Sequence, residues 1–193
     1  MKIYINKPSP YVRRALIAAH EKNLVDRLEL TPIDPWSDPA ELHDQNPIGR
    51  LPTLIMDDGR PMVESLVIMQ FFNEIGDGTD LAGNDRVDAL RRAGLNQGII
   101  DSSYAAVIEN RRPEGAKWDE LVERQTRVIE RTVKAAQVSG GFDYGDITLV
   151  AALGYLSFRL PDIDWKGQRP DLASWMADLA ARPSVALTAP DAP

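Results

Sequence analysis

The first residues whose types suggest chemistry are Ser9 and Pro10, which follow a short strand-like segment. Serine followed by proline is a favoured helix start, because serine caps the first turn and proline fits the first helical position. A helix N-terminus carries about half a positive charge and free N–H groups, so a serine hydroxyl there can donate a hydrogen bond to a bound anion. Ser9 is therefore predicted either to hold an anion or only to cap its helix.

A second candidate is the segment Asn46–Pro52, with the sequence Asn-Pro-Ile-Gly-Arg-Leu-Pro, which precedes a strand-like run. Pro52 lies where that strand begins and has no N–H to donate to a neighbouring strand. The backbone of Leu51, just before it, is then available to pair with an extended, peptide-like ligand. The alternative is an ordinary edge strand entered through a turn.

The third candidate is the pair Glu64-Ser65, at the junction of a hairpin and a helix. The Glu64 carboxylate could bind the ammonium group of a ligand. The Ser65 hydroxyl and the adjacent N–H groups could bind a carboxylate at the helix start. An amino-acid zwitterion carries both groups and is the matching ligand. The alternative is that Ser65 acts only as a helix cap.

The elements that must position these motifs alternate between strands and helices in the N-terminal part of the chain. In order, the pattern predicts a strand at Lys2–Asn6, a helix from Pro10 to about Asn23, a strand at Val25–Leu30, a long loop at Thr31–Arg50, a hairpin of Leu51–Met56 and Pro61–Val63, and a helix at Ser65–Ile75. The first two strands should pair in parallel through a right-handed crossover, and the hairpin should add antiparallel strands. This order is typical of an α/β domain.

Beyond a linker at 77–86, the sequence predicts only helices. Their expected positions are Arg86–Arg111, Trp118–Ser139, Thr148–Leu160 and Leu172–Ala181. The third of these is the most apolar and should be the buried central helix of a bundle. The predicted fold class is therefore α/β followed by all-α.

Composition excludes several classes of function. None of the 193 residues is cysteine, which rules out disulfides, thiolate metal sites and cysteine nucleophiles. A formal net charge of −7 argues against nucleic-acid binding. The first ten residues lack the apolar segment of a signal peptide, and no run of apolar residues is long enough for a membrane span, so a cytoplasmic location is expected. The acidic loop Asp34–Asp44 has no recognised ligand spacing, and no metal is predicted.

Taken together, the Ser-Pro-Tyr-Val-Arg-Arg helix start, the Asn-Pro-Ile-Gly-Arg-Leu-Pro segment and the Glu-Ser pair resemble the glutathione S-transferase superfamily. The resemblance covers nearly the whole chain, including Leu172–Pro190, and is nearest to serine-type bacterial and tau- or zeta-like members such as the YibF-like group. It implies a thioredoxin-like domain with a mixed four-stranded sheet at 1–76, the linker 77–86, an all-helical bundle at 87–193, and a homodimer.

The resemblance also implies roles for individual residues. Ser9 would hydrogen-bond the glutathione sulfur and favour its thiolate, with the hydroxyl of Tyr4 as the alternative. The residues implied in glutathione binding are Arg50, Leu51, the adjacent and cis Pro52, Glu64, Ser65 and Asp101. Those implied in the wall of the second-substrate site are Tyr104, Ile108 and Arg111.

The implied activity is conjugation of glutathione, as cosubstrate, to small electrophiles, with a role in detoxification and no metal. The alternative is a module of the same fold that binds glutathione or a protein without turnover. Two features depart from the family. The zeta-type isomerases have a cysteine next to the active serine, whereas the neighbours of Ser9 are Pro8 and Pro10, so isomerase activity is not expected. The buried helix usually begins Ser/Thr-X-X-Asp, whereas Thr148 is followed by Ala151 in the acid's place.

Overall fold

The computed structural model of the protein describes residues 1–190, and its contacts divide the chain into two units. Among the described residues, the first unit contains Met1–Leu81 and 182–190, and the second contains Ala82–Ala181. The sequence places 182–193 in the helical domain, whereas the described part of that segment packs with the first unit. The functional boundaries at 76 and 87 stay a prediction, and 191–193 lie outside the described residues.

The first unit is built on a mixed four-stranded sheet with the strand order β2-β1-β3-β4. The strands are β1 (Lys2–Ile5), β2 (Glu29–Pro32), β3 (Thr53–Ile55) and β4 (Pro61–Met62). β1 is parallel to β2 and antiparallel to β3, and β4 is antiparallel to β3. The predicted mixed sheet is therefore confirmed. The edge position of β2 explains how it accommodates Pro32 at its end.

The second strand begins later than the sequence predicts. Val25–Arg27 form a single 3-10 turn, and β2 starts at Glu29. Asn23 has φ +54, a left-handed conformation that asparagine tolerates, and this turns the chain out of the preceding helix. Of the apolar residues in this segment, Val25 therefore lies in the turn and Leu30 lies in the strand.

The helices are α1 (Pro10–Glu21), α2 (Ala40–His43), α3 (Ser65–Ile75), α4 (Arg86–Asn110), α5 (Asp119–Ala135), α6 (Tyr144–Arg159), α7 (Trp165–Gln168), α8 (Pro170–Leu179) and α9 (Pro183–Ala186). In the first unit, α1 packs against α3 and α9. Ile3, Leu54, Ile17 and Phe72, from β1, β3, α1 and α3, are fully buried and form its core.

The second unit contains no strand among its described residues 82–181, which confirms the all-helical prediction. α4 packs against both α5 and α6. α6 is buried along most of its length, with Ile147, Leu149 and Leu153 fully inaccessible. No helix within residues 1–190 combines the length and apolar character needed to cross a membrane.

The start of α6 corrects one interpretation made from the sequence. The helix begins at Tyr144 instead of Thr148, and a capping box of Asp143 and Asp146 closes it. The Asp143 carboxylate accepts from the N–H of Gly145 at 2.8 Å, and Asp146 accepts from the N–H of Asp143 at 3.2 Å. The acid of the capping box is thus present as Asp146, five residues before Ala151. Thr148 is an interior residue whose hydroxyl donates to the Tyr144 carbonyl at 2.7 Å.

Candidate functional site

Ser9 is the N-cap of α1, as its sequence predicts. Its hydroxyl oxygen accepts a hydrogen bond from the N–H of Val12 at 3.3 Å, and its own N–H donates to the Asn6 carbonyl at 3.0 Å. No acidic side chain lies in the first turn of α1, so the positive helix end is not neutralised from within the helix. The half-buried hydroxyl donates to no other residue within 1–190, so its hydrogen is available to an anion.

Tyr4 is the other hydroxyl considered for this role. It lies in the middle of β1, paired with Thr31 on β2 and Thr53 on β3, and is only 5% exposed. The Lys2 ammonium lies 4.7 Å from the centre of its ring. Tyr4 is therefore part of the buried sheet, as expected, and Ser9 is the more accessible of the two hydroxyls.

The loop before β3 is organised by the buried side chain of Asn46. The Asn46 amide donates to the Arg50 carbonyl and to the Thr53 hydroxyl, both at 2.9 Å. Its oxygen accepts from the N–H of Ile48 at 3.0 Å, a local turn that asparagine favours. Gly49 in this loop has φ +66, a conformation suited to glycine. Asn46 thus fixes the path of the chain into Leu51, a role that the sequence motif alone did not reveal.

Leu51 lies between this loop and β3, with its side chain largely buried. The Leu51–Pro52 peptide bond is cis. Within the described chain, no hydrogen bond engages the main-chain N–H or carbonyl of Leu51. These two groups therefore remain able to pair with an extended ligand, as the sequence predicts, and the Arg50 side chain beside them is exposed.

Glu64 and Ser65 lie at the start of α3. Glu64 occupies the N-cap position with φ +68 and ψ 109, and its exposed side chain makes no capping bond to the helix. A positive φ is strained for glutamate, and such strain clusters at functional sites. Ser65 is 2% exposed, and its hydroxyl oxygen accepts a hydrogen bond from Nη2 of Arg14 at 2.6 Å.

Arg14 is a residue of this site that the sequence reasoning missed. It lies on α1 and is only 1% exposed. A signal was present, because Arg14 is spaced four residues from both Pro10 and Ala18, which are also buried. An arginine in the apolar register of a helix is a candidate for a buried polar contact.

The remaining predicted residues belong to the second unit and are described within it. Asp101, Tyr104, Ile108 and Arg111 are spaced three, four and three residues apart, so they follow one face of α4 to its end. The Asp101 carboxylate accepts from the Gln97 side chain at 2.7 Å. The positions of these residues relative to Ser9 and Ser65 stay a prediction.

Tyr155 of α6 is a buried titratable residue that the sequence prediction did not single out. Burial raises the pKa of its hydroxyl, an effect opposed by the positive charges of Arg159 and Arg111 and supported by Tyr104. Tyr155 lies on α6, the helix that packs against α4. The sequence pattern did not distinguish Tyr155 from its neighbours, because it lies within an almost wholly apolar helix.

The acidic loop uses its carboxylates locally. Asp34 accepts from the N–H of Trp36 at 3.0 Å, and Asp38 lies 3.1 Å from Nε2 of His43. Across residues 1–190 no group of histidine, aspartate or glutamate side chains is arranged to hold a metal ion.

Comparison with known proteins identifies the family. Two family models match the chain: Glutathione S-transferase, N-terminal domain, over residues 8–75, and Glutathione S-transferase, C-terminal domain, over residues 105–178. A glutathione transferase family member from Pseudomonas fluorescens Pf-5, solved with bound glutathione, is 31% identical with a TM-score of 0.88, over 97% of each chain. The chain belongs to the glutathione S-transferase superfamily, as the resemblance of its motifs indicates.

Two further relatives span essentially the whole chain. A glutathione S-transferase from Methylobacterium radiotolerans, solved in complex with glutathione sulfonate, is 31% identical with a TM-score of 0.90 and covers 100% of this chain and 95% of that one. The GST-like protein YibF of Escherichia coli K12 is 26% identical over 98% of each chain. The bacterial relatives thus match both units.

Proposed function

We propose that the protein is a glutathione transferase that conjugates the thiolate of glutathione to small electrophilic substrates. The observation that carries this proposal is the hydroxyl of Ser9, which caps α1 and still has its hydrogen available. The relative from Pseudomonas fluorescens, solved with bound glutathione, supports the choice of cosubstrate. Because the chain has no cysteine, the sulfur nucleophile must come from the ligand.

Ser9 would act by stabilising the thiolate. A free thiol has a pKa of about 8.5, so only a small fraction is ionised at neutral pH. A hydroxyl donor at a positive helix end favours the anion and lowers that pKa. The thiol proton passes to solvent, and the sulfur then attacks the electrophilic carbon. With a chlorodinitrobenzene substrate, a carbon–sulfur bond forms, and the carbon–chlorine bond breaks as chloride leaves with the bonding electrons.

The other residues of the first unit would position glutathione. The free main-chain groups of Leu51, held between Arg50 and Pro52, would pair with the cysteinyl part of the ligand. Arg50 would lie near the glycyl carboxylate, since its exposed guanidinium is a suitable partner. Glu64 and Ser65 would bind the ammonium and carboxylate of the γ-glutamyl group.

The residues of α4 would complete the site in a cytoplasmic homodimer with a role in detoxification. Asp101 would approach the γ-glutamyl ammonium. Tyr104, Ile108 and Arg111 would line the second-substrate site, offering an aromatic ring, an apolar side chain and a cation along one helix face. Such a surface suits an electrophile that has both an apolar body and an electron-withdrawing polar group.

The test compares Ser9→Ala with Ser9→Thr, which keeps the hydroxyl and the cap. Ser9→Ala should lower turnover on the order of 100-fold, because a donor to the reacting anion is lost. Its dissociation constant for glutathione should change only a few-fold, and the pKa of the bound thiol, followed by thiolate ultraviolet absorbance, should rise towards about 8.5. Unchanged turnover in Ser9→Ala would contradict the proposal. Tight glutathione binding by the unmodified protein without thiolate at neutral pH would favour the non-catalytic binding module.

A further inference from the structure

We propose that Arg14 is a positioning residue that acts through Ser65 and makes the start of α3 selective for a carboxylate. The inference rests on the proposed function and extends it to a residue on a different helix. In this role Arg14 does not touch the ligand. It determines the direction in which the Ser65 hydroxyl donates its hydrogen.

The geometry of the Arg14–Ser65 contact sets this direction. Nη2 of Arg14 donates to the Ser65 hydroxyl oxygen at 2.6 Å, and both side chains are almost fully buried. A guanidinium has five donors and no acceptor, so the serine hydroxyl cannot donate back to it. The Ser65 hydrogen must therefore point away from Arg14, and among the described residues none accepts it.

The groups around that hydrogen favour an anionic acceptor. Ser65 is the first residue of α3, and the N-cap residue Glu64 supplies no side-chain bond to the free N–H groups of the first turn. The hydrogen bond from Arg14 is charge-assisted and polarises the Ser65 hydroxyl, which makes it a stronger donor. A carboxylate, which accepts only and carries a negative charge, matches this set of donors better than a neutral group.

Arg13 provides a matched control on the same helix. It is also buried, at 5% exposure, but its Nη2 donates to the Val185 carbonyl at 3.3 Å. Removing either guanidinium from the core of the first unit should cost stability. Only removal of Arg14 should change how the site discriminates between ligands, because only Arg14 directs the Ser65 hydroxyl.

The experiment measures binding of two ligands by calorimetry. One is glutathione, and the other is 4-aminobutyryl-cysteinyl-glycine, which keeps the ammonium and lacks the γ-glutamyl carboxylate. The unmodified protein should prefer glutathione by on the order of 100-fold, the effect expected of hydrogen bonds to a charged group. Arg14→Gln should reduce this preference about tenfold, whereas Arg13→Gln should leave the preference unchanged.

A second set of variants keeps the positive charge in case Arg14→Gln does not fold. Arg14→Lys should reduce the preference by roughly threefold, since lysine cannot reproduce the fixed direction of a guanidinium hydrogen bond. In the Ser65→Ala background the same change should have no effect on the preference, because Arg14 acts through that hydroxyl.

The outcomes separate the inference from the function on which it rests. Failure of the unmodified protein to bind glutathione would overturn the proposed function and this inference with it. Glutathione binding with equal affinity for both ligands would overturn the inference alone. The inference would also fall if the Arg14 variants weakened both ligands equally, since that result indicates a purely structural role.

Discussion

The first turns of α6 and α3 differ in how their main-chain N–H groups are used. At the start of α6, carboxylates of the chain accept hydrogen bonds from these groups, whereas at the start of α3 no side chain caps them. Asp143 and Asp146 cap the start of α6 by a capping box, and we call such a start closed. Glu64 precedes α3 with a positive φ and an exposed side chain that caps nothing, and we call this start open. A closed start stabilises the fold and leaves fewer donors for a ligand. An open start contributes less to stability and can receive one.

The closed start of α6 is reinforced from α4. Arg92 donates to Asp143 and Asp146, and its Nε donates to Asp88 at 2.7 Å. Gly145 lies so close to Arg92 that an added Cβ would stand 2.7 Å from the Arg92 Cβ, which explains a glycine in the first turn. Asp146 is fully buried, and this burial raises its pKa. Loss of one member of this buried network leaves the others unsatisfied.

The largest effect is expected from Asp146→Ala. This change removes the acceptor of hydrogen bonds from Arg92 and from the Ser139 and Asp143 main chains. It should lower the free energy of unfolding by about 3 kcal/mol, because Arg92 is left buried with an incomplete set of partners. Urea denaturation measures the loss. Asp178→Ala, on the exposed side of α8, is the control and should stay within about 0.5 kcal/mol of the unmodified protein.

If Asp146→Ala lowered the free energy of unfolding no more than the Asp178→Ala control, the closed start of α6 would not stabilise the fold. A deficit confined to glutathione affinity would contradict it equally. The expected result is a lower free energy of unfolding with or without glutathione, while the affinity of the folded protein for glutathione stays unchanged.

A smaller effect is expected at the last residue of α1, Glu21, whose carboxylate is held by an ion pair. Arg182 donates to both carboxylate oxygens of Glu21, at 2.7 and 2.5 Å, and Ser184 donates as well. Burial of Glu21 favours a higher pKa, but these hydrogen bonds and the charge of Arg182 outweigh it, and the pKa is lowered below 4.5. This ion pair lies in the same unit as the open start of α3.

Glu21→Gln should lower the free energy of unfolding by about 1–2 kcal/mol at neutral pH. Because the pKa of Glu21 is lower in the folded state, its stabilising effect is present above pH 4.5 and disappears as the pH falls through the folded value. The two proteins should therefore converge in stability in acid. Glu74→Gln, an exposed glutamate on α3, is the control and should show neither the loss nor the convergence. A gap between Glu21→Gln and the unmodified protein that is independent of pH would contradict the assignment.

The sequence predicted those features that depend on neighbouring residues. Local turn and cap chemistry predicts the Ser-Pro start of α1, the hairpin of Leu51–Met56 and Pro61–Val63, and the positions of Glu64 and Ser65. Their assembly into one fold was predicted by their order along the chain. The glutathione contacts themselves stay a prediction.

The features that were missed depend on contacts between distant residues. Arg14 meets Ser65 across 51 positions, and that contact exists only once α1 packs against α3. The sequence predicts a start of α6 at Thr148, later than the observed Tyr144, and the glycine in its first turn, Gly145, is explained by its close approach to Arg92. The last described residues join the first unit through Arg182 and Glu21, which no local pattern indicates.

The smallest effect is expected at the open start itself, where Glu64 can be replaced by glycine or by alanine. Alanine is normally favoured over glycine, and at Glu74 within α3 it should be the more stable substitution by about 0.5–1 kcal/mol. At Glu64 the order should reverse, with glycine more stable by about 1 kcal/mol, because only glycine adopts φ +68 without strain. Both Glu64 variants should bind glutathione more weakly, since they lack the carboxylate that we propose pairs with its ammonium. Thermal unfolding and calorimetry of the four variants measure both effects, and a preference for alanine at both positions would mean that the open start carries no strain.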